Sequence, residues 1–350
     1  MPKHTRKPTR WTSPDRPVAR LTTPAEMVAS LPVCLGYTPS ESLVVGCCHE
    51  PRGRMGLTVR IDLPGAEHET AVVDEVERIV RGQRSTRVLL AVYTEEADGR
   101  LRARTGLVDA LRDRFADLVV TEAVLVRGGR FWSYLCSVPT CCPPEGTPVD
   151  AARDAAPLRL LEAEQVLSGK VQLADREELE RTLASPSLFA AELGRQRCET
   201  ALDLRRREGR ARSAETSLQA WAAAVDRWRD PPASLGDMEA AQLAMSLMDV
   251  HVRDRLAASP SRDVPPLLAL LEELCRRIPS PYDAPVCTLF GWLTYCEGGG
   301  AAVTIALERA LRSDPDYGLA HLLSAALLAA LPPRTLRRIA QAGRGLGRAC

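Results

Sequence analysis

The sequence has few aromatic residues and lacks the short motifs that identify common enzyme classes. Phenylalanine, tryptophan and tyrosine together make up 4% of its 350 residues. It contains no GxxxxGKS/T, GxGxxG, GxSxG or HExxH pattern, and no two cysteines are spaced as CxxC. These absences argue against P-loop nucleotide hydrolysis, dinucleotide binding, serine hydrolysis, zinc-dependent proteolysis and thioredoxin-like exchange.

No apolar run is long enough to cross a bilayer. The longest, Leu319–Leu331, is interrupted by His321 and Ser324 and predicts a buried helix. The basic start is followed by polar, proline-containing sequence rather than by the apolar segment of a secretion signal. We therefore expect a cytoplasmic protein that does not associate with a membrane.

The net charge of +1 conceals an uneven distribution. Residues 1–20 carry a net +5 and residues 334–350 another +5, which leaves −9 for the rest of the chain. Nucleic-acid-binding folds concentrate positive charge on one folded face, so this pattern predicts no specific nucleic-acid partner. Both basic ends are predicted to be disordered tails.

Strand and helix patterns alternate over residues 21–150, which predicts an α/β domain with a mixed sheet. Apolar runs or alternations predict strands over 42–48, 57–63, 88–93, 118–126 and 131–136, with a break near Thr121 and a tight hairpin at Gly128–Gly129. A capping signal predicts a helix that begins at Pro24 and stops at Pro32. Apolar residues at helical spacing predict a second helix around 72–80 and a third around 107–115, the third capped by Thr105.

Strand patterns disappear after residue 150, which predicts an all-α domain of helix pairs over residues 151–333. Helical patterns fall at 157–168, 175–184, 187–208, 214–229, 236–258, 264–278, 285–297, 299–312 and 317–331. Gly291, Ala310 and Pro315 have the spacing of a tetratricopeptide unit, although the match is partial. We expect this domain to contact a protein partner or a second copy of the chain.

The most unusual segment is GGRFWSYLCSVPTCCPPEGTP, which spans residues 128–148. The α/β domain ends here in a stretch rich in cysteine and proline. The candidate functional cluster taken from this segment is Trp132, Tyr134, Cys136, Cys141, Cys142 and Glu145. The segment either forms a rigid loop folded against the sheet or lines a small-molecule pocket at the domain boundary.

Metal binding and thiol catalysis are the two chemical alternatives for this cluster. A structural zinc site needs four ligands, and only three thiols are local. Cys47, Cys48 or His49 would complete the set only if the first strand ended beside Cys136. We therefore predict no cofactor, with zinc on Cys136, Cys141, Cys142 and Cys48 as the less favoured alternative. A thiol nucleophile would need a lowered pKa and a base such as His49 or His68.

Secondary candidates for a functional role are Tyr93, Ser42, Asp62 and His49. Ser42 stands at the start of a predicted strand, where a turn hydroxyl is the usual role. Asp62 follows Arg60 on the same strand face, and an exposed pair between them would contribute little stability. Ser42 and Asp62 therefore also have ordinary structural interpretations.

Three stretches resemble an actinobacterial family known as domain of unknown function 4192. They are PVCLGYTPSESLVV at 32–45, Tyr93–Thr94, and WSYLCSVPTCCPPEGTP at 132–148. The resemblance covers about residues 21–333. It implies an α/β domain followed by a helical C-terminal region and a cytoplasmic location, and it implies no reaction.

The leading hypothesis is a non-catalytic ligand-binding or regulatory α/β domain joined to a helical protein-interaction domain. The alternative is a cysteine-dependent or zinc-assisted enzyme centred on Cys136, Cys141 and Cys142. The sequence favours the non-catalytic interpretation because the common catalytic motifs are absent.

Overall fold

A computed structural model of the protein describes residues 18–50, 53–96, 103–167, 172–229, 234–331 and 335–336. The predicted disordered tails, 1–20 and 334–350, lie outside the described residues except for 18–20 and 335–336. The described chain forms a mixed sheet followed by a mostly helical region, which confirms the predicted fold class.

One six-stranded sheet organises the N-terminal half. Its strands are β1 (Ser42–His49), β2 (Arg54–Asp62), β3 (Arg87–Tyr93), β4 (Val119–Arg127), β5 (Arg130–Ser133) and β6 (Thr147–Pro148). Their order is β2-β1-β3-β4-β5-β6. β3 and β4 run parallel, whereas every other neighbouring pair is antiparallel. The carboxyl ends of β3 and β4 therefore lie at one end of the sheet, beside the start of β1.

Helices cover both faces of this sheet. They are α1 (Pro24–Leu35), α2 (Glu69–Gly82), α3 (Thr105–Arg114) and α4 (Ala156–Leu167). α2 and α3 bury Val76 and Leu111 against one face, and α1 buries Leu31 against the other. α4 packs on α1, where Leu158 contacts Ala29. Burial on both faces explains why β1 and β3 are almost continuously apolar.

The start of α1 follows the sequence signal, but its end does not. Thr23 and Glu26 form the capping box that the sequence predicts. The predicted stop at Pro32 was wrong, since the helix continues to Leu35 and ends at Gly36, whose φ is +83°. Pro32 removes one helical donor, and its carbonyl accepts the Gly36 N–H at 2.8 Å, so the last turn stays closed.

The N-terminus of α3 also differs from the prediction. Thr105 is the first helical residue rather than the cap, and the cap position belongs to Arg104, which has a φ of +59°. The Arg104 guanidinium donates to the Glu96 carboxylate at 2.8 Å and to the Pro64 carbonyl at 2.9 Å. These bonds join the loop after β3 to the loop after β2.

The predicted break near Thr121 is a bulge in a continuous strand, and the hairpin that follows it is confirmed. The pairing of β3 with β4 shifts register so that Val120 and Glu122 face consecutive β3 residues, which leaves Thr121 in a bulge. Gly128 and Gly129 both have positive φ, as a two-residue hairpin turn requires. β5 is shorter than predicted, because the chain leaves the ladder after Tyr134, whose N–H donates to the Ala123 carbonyl.

The helical region follows α4. Its helices are α5 (Arg176–Thr182), α6 (Leu188–Glu208), α7 (Arg210–Arg227), α8 (Asp237–Ser246), α9 (Val250–Ala257), α10 (Val264–Arg277), α11 (Ala284–Cys296), α12 (Gly300–Ser313) and α13 (Gly318–Leu328). The prediction of one helix over 236–258 was wrong, because Ser246 ends α8 and Asp249 caps α9. The Ser246 hydroxyl accepts the Trp221 indole N–H at 2.8 Å, and the Asp249 carboxylate accepts the His251 N–H at 2.9 Å.

The helix pair α11 and α12 packs closely at Gly291. A β-carbon added to Gly291 would lie 3.4 Å from Leu307 and 3.7 Å from Ala306. The tetratricopeptide character of this pair and the domain boundary near residue 150 both stay predictions. Among the described residues, no helix combines the length and the apolar character needed to span a bilayer.

Candidate functional site

The cysteine- and proline-rich segment is fixed to the edge of the sheet at both ends. We call residues 134–146, which connect β5 to β6, the thiol loop. The Arg130 guanidinium donates to the carbonyls of Glu145 and Gly146 at 2.7 and 2.8 Å, and the Trp132 indole donates to the Pro144 carbonyl at 2.9 Å. The loop is therefore held against β5, although most of its side chains are exposed.

The two aromatic residues of the predicted cluster have structural positions. Trp132 joins the core on the α2–α3 face of the sheet, and the Arg127 guanidinium lies over its ring at 5.3 Å. The Tyr134 hydroxyl donates to the Ala103 carbonyl. Glu145 is exposed, and its carbonyl is the group that contacts Arg130.

The three thiols of the loop lie together. The Sγ atoms of Cys136 and Cys141 are 3.8 Å apart, as are those of Cys141 and Cys142, and all three atoms lie within 4.8 Å of one another. The N–H groups of Cys141 and Cys142 both donate to the Val138 carbonyl, at 3.0 and 2.7 Å, which closes the turn that gathers them.

The environment shifts the acidity of these thiols in opposite directions. The backbone hydrogen bond from Val138, followed by those from the two other thiols, lowers the pKa of Cys136. Burial, together with the adjacent thiols, raises the pKa of Cys142 to about 12. A thiolate in this loop therefore forms first at Cys136.

Cys47, Cys48 and His49 do not join the thiol cluster. They belong to β1, and β3 and β4 lie between β1 and β5, a separation of roughly three strand spacings or 14 Å. Cys47 is buried in the core on the α2–α3 face. The structure therefore does not bring Cys48 to the ligand set that the sequence had suggested.

A cavity of about 770 Å³ opens at the carboxyl ends of β3 and β4, and we call it the cleft. Its walls come from α1, residues 38–41, residues 93–95, residues 126–129, residues 149–153, α4 and residues 172–178. Ligands of open α/β sheets bind at this end of parallel strands. The volume lies in the range typical of small-molecule sites.

Tyr93 is the predicted candidate that lines the cleft. Its side chain is 6% exposed, and its buried hydroxyl has no hydrogen-bond partner. Burial raises the pKa of the Tyr93 phenol, so the group stays neutral and offers one O–H donor. A buried polar group without a partner costs stability and therefore calls for an explanation, such as a functional role or a bound water or ion.

Glu41 shapes the rim of the cleft, and the sequence analysis missed its role. Its φ is +40°, an unusual value for a residue with a side chain. Its carboxylate accepts the Thr94 hydroxyl and the Glu95 N–H, both at 2.8 Å, and Glu95 in turn accepts the Gly128 N–H at 3.0 Å. These bonds join the start of β1 to the end of β3 and to the β4–β5 turn.

The far wall of the cleft comes from a later part of the chain. The Leu173 N–H donates to the Gly36 carbonyl at 2.8 Å, and residues 37 and 173 form a parallel bridge. The Glu178 carboxylate accepts the Ala174 N–H at 2.7 Å. The segment before α5 is thereby attached to the end of α1.

Ser42 and Asp62 lie near the cleft but have the ordinary roles that the sequence suggested. The Ser42 hydroxyl is fully buried, accepts the Arg60 guanidinium at 2.6 Å and donates to the Ser40 carbonyl. Asp62 is mostly exposed and pairs with Arg60 at 2.6 Å. Neither residue lines the cleft.

Comparison with known proteins identifies the family of the chain. A family model described as "Domain of unknown function (DUF4192)" matches residues 24–334, which cover nearly all of both regions. The chain therefore belongs to this family. No curated protein and no solved structure matches it.

Proposed function

We propose that this family member is a non-catalytic ligand-binding or regulatory protein whose ligand occupies the cleft. The observation that carries the proposal is a cavity at the carboxyl ends of β3 and β4 whose lining includes Tyr93, a residue with a buried hydroxyl that has no hydrogen-bond partner. A ligand acceptor that meets this hydroxyl would remove the cost of leaving it without a hydrogen bond.

The charges around the cleft favour a ligand with positively charged groups. The lining contains two guanidinium groups and five carboxylates: Arg127 and Arg153, then Glu41, Glu95, Asp150, Glu162 and Glu178. Arg127 lies over Trp132 and Arg153 pairs with Asp150 at 3.1 Å, and the lining has three more carboxylates than guanidinium groups. An excess of negative charge raises the local concentration of cations. We therefore propose a small amine that also carries an acceptor for Tyr93.

The helical region is proposed to contact a protein, either a different partner or a second copy of the chain. Leu188 and Phe189 begin α6 with 91% and 78% of their surfaces exposed. Exposed large apolar side chains that adjoin one another are common at protein contacts. A cytoplasmic location belongs to the same proposal, because a reducing compartment keeps thiols free.

A ligand screen on the full chain tests the proposal. The probes are lysine and arginine as cations that also carry a carboxylate acceptor, with succinate and inorganic phosphate as anions, and the readouts are thermal unfolding and calorimetry. We expect the cations to raise the unfolding temperature and the anions not to. Glu162→Lys should weaken cation binding by about tenfold. Glu215→Lys, on an exposed position outside the cleft, is the matched control and should not.

Tyr93→Phe separates ligand binding from general stability. Loss of an unpartnered hydroxyl should leave the free protein as stable or more stable, while cation affinity falls by about threefold to tenfold, the value of one hydrogen bond. Thr121→Val removes another unpartnered buried hydroxyl at the opposite end of the sheet and should not alter binding. Stabilisation by anions alone, or equal binding by wild type and Tyr93→Phe, would contradict the proposal.

The second candidate function is a cysteine-dependent or zinc-assisted enzyme at the thiol loop. The lowered pKa of Cys136 favours it, because the thiolate is the reactive form. Within the described ranges, however, no histidine or carboxylate forms one group with the three sulfur atoms in which every ligand atom lies within 4.8 Å of the others. The ligand-binding proposal therefore remains the preferred one.

A further inference from the structure

The three thiols of the thiol loop have the spacing that one metal ion imposes on its sulfur ligands. Zinc binds thiolates at about 2.3 Å in a tetrahedral array, which places neighbouring sulfur atoms about 3.8 Å apart. The Cys136–Cys141 and Cys141–Cys142 distances are both 3.8 Å, and the remaining pair lies within 4.8 Å. A small side-chain rotation would therefore bring all three sulfurs to one ion.

The backbone of the loop supports this arrangement. Val138 donates its N–H to Cys136 Sγ, and its carbonyl accepts the N–H groups of Cys141 and Cys142. One residue thus orients all three cysteines. Because the tight turn is closed by hydrogen bonds, the thiols are gathered without help from an ion, and little ordering entropy would be lost on binding.

The surroundings add negative charge and leave one side open. Glu122 is 8% exposed, accepts the Ser133 hydroxyl at 2.7 Å, and acts electrostatically on Cys136. In the described part of the chain, no fourth cysteine, histidine or carboxylate lies within the same 4.8 Å. Cys141 is exposed. Three protein ligands with an accessible fourth position differ from the closed, four-ligand structural zinc sites.

We propose that Cys136, Cys141 and Cys142 bind one Zn²⁺ ion as three thiolates, with the fourth position open to water or to an exogenous ligand. Each thiol loses its proton to solvent as the metal–sulfur bond forms, so about three protons leave per ion, and the cluster gains a net charge of −1. No oxidation or reduction takes place. This site is in the loop that connects β5 to β6 and is independent of the cleft.

A cobalt titration of the full chain tests the site directly. The protein is treated with a chelator under a phosphine reductant, Co²⁺ is added, and Zn²⁺ is then used to displace it. We expect sulfur-to-cobalt charge-transfer absorption and tetrahedral visible bands that saturate at one ion per chain. Proton release in weak buffer should approach three per Zn²⁺. Absence of the charge-transfer band, or saturation at any other ratio, would overturn the proposal.

Single cysteine variants assign the ligands. Cys141→Ser and Cys142→Ser should each lower Zn²⁺ affinity by more than the roughly 10–100-fold that loss of an outer-shell partner costs. Cys34→Ser, which changes a thiol outside the loop, is the matched control and should bind as wild type does. Far-UV circular dichroism verifies folding of each variant. If either loop variant bound Zn²⁺ with wild-type affinity, or if Cys34→Ser lost as much Zn²⁺ affinity as the loop variants, the ion would bind elsewhere.

Discussion

The backbone of Gly146 lies directly on the indole ring of Trp132. A β-carbon at position 146 would sit 2.5 Å from the ring atom Cε2, which is closer than any real contact of this kind. Gly146 also has a φ of +77°, a conformation that glycine adopts without steric cost. This contact, together with the bonds from Arg130, ends the thiol loop on the sheet and returns the chain to β6.

Gly146→Ala should therefore release the thiol loop from the sheet. The methyl group adds both backbone strain and a collision with Trp132, whereas Gly128→Ala adds strain alone, because nothing lies within 4 Å of its missing β-carbon. We expect Gly146→Ala to cost about 1–3 kcal/mol more than Gly128→Ala, the range for overpacking. Urea unfolding measures the difference, and tryptophan fluorescence reports the displaced ring. Equal costs for both variants would contradict the contact.

Asp283 and Arg309 form a buried ion pair that joins α11 to α12. The Arg309 guanidinium donates to Asp283 at 2.8 Å and to the carbonyls of Leu183 and Ile278 at 2.6 and 3.0 Å. Asp283 and Arg309 are 1% and 5% exposed. Each nitrogen of the guanidinium has an acceptor, and removing one partner of the pair leaves the other buried charge uncompensated.

Arg309→Met should accordingly destabilise the protein by about 3–5 kcal/mol, the usual cost of breaking a buried pair. Arg195→Met removes an exposed guanidinium that pairs with Glu192, and it should cost no more than about 0.5 kcal/mol. The free energy of unfolding in urea distinguishes the two. The prediction fails if the two substitutions have the same effect.

Alkaline pH should destabilise the fold through its buried thiols. Burial raises the pKa of Cys47, and it raises the pKa of Cys198 to about 12. Above the unfolded thiol pKa of about 8.5, the unfolded chain loses protons that the folded chain keeps, so stability falls as pH rises. Above that pH, each such thiol lowers the free energy of unfolding by up to about 1.4 kcal/mol per pH unit. Below about pH 8 its effect on the free energy of unfolding does not change with pH.

Urea unfolding between pH 8 and 10 measures this slope. Cys198→Ala should make the slope shallower by one thiol's contribution, in addition to a constant loss from the smaller side chain. Val225→Ala, a truncation in the same core, should lower stability by a constant amount and keep the slope. A slope that is identical in all three proteins would show that Cys198 keeps an ordinary pKa in the folded state.

Alkylation should distinguish the thiols of the loop. In metal-free, reduced protein, we expect iodoacetamide to modify Cys136 first, at a rate that levels off below the ordinary cysteine pKa, because its pKa is lowered. Modification of Cys142 should still accelerate at pH 10, since its pKa is raised to about 12. Tandem mass spectrometry locates the label. Cys136→Ser should abolish the fast phase of modification, and Cys142→Ser should retain it. Loss of the fast phase in Cys142→Ser alone would show that Cys142, and not Cys136, is the reactive thiol.

The sequence predicted the sheet well because hydrophobic burial determines its pattern. Val88–Tyr93 is continuously apolar and forms the central strand β3, whereas β2 alternates and lies at the edge. The break at 247–249 was not predicted, because α8 and α9 contain no Gly or Pro between them and Ser246 at the end of α8 accepts a tertiary bond from Trp221. Local periodicity cannot reveal such a bond.

The cleft was only partly predictable for a similar reason. Tyr93 was a secondary candidate in the sequence analysis, and Tyr93–Thr94 also belongs to the stretches that carry the family resemblance. Glu41, Glu95 and Leu173 come from distant segments, and no spacing relates them. The positive φ of Glu41 has no sequence signal either, since it depends on the carboxylate bonds to Thr94 and Glu95. Composition did indicate the thiol loop, because three cysteines fall within seven residues.

The bridge between residues 37 and 173 also bears on biosynthesis. Because residues 172–178 form one wall of the cleft, a ribosome that has released only the six strands has produced an incomplete cavity. Because the cavity is incomplete at that stage, a small molecule that binds in it could not stabilise the sheet while the sheet first folds. It would bind only after translation has passed α5, so a bound ligand would show that residues 172–178 have already packed against the end of α1.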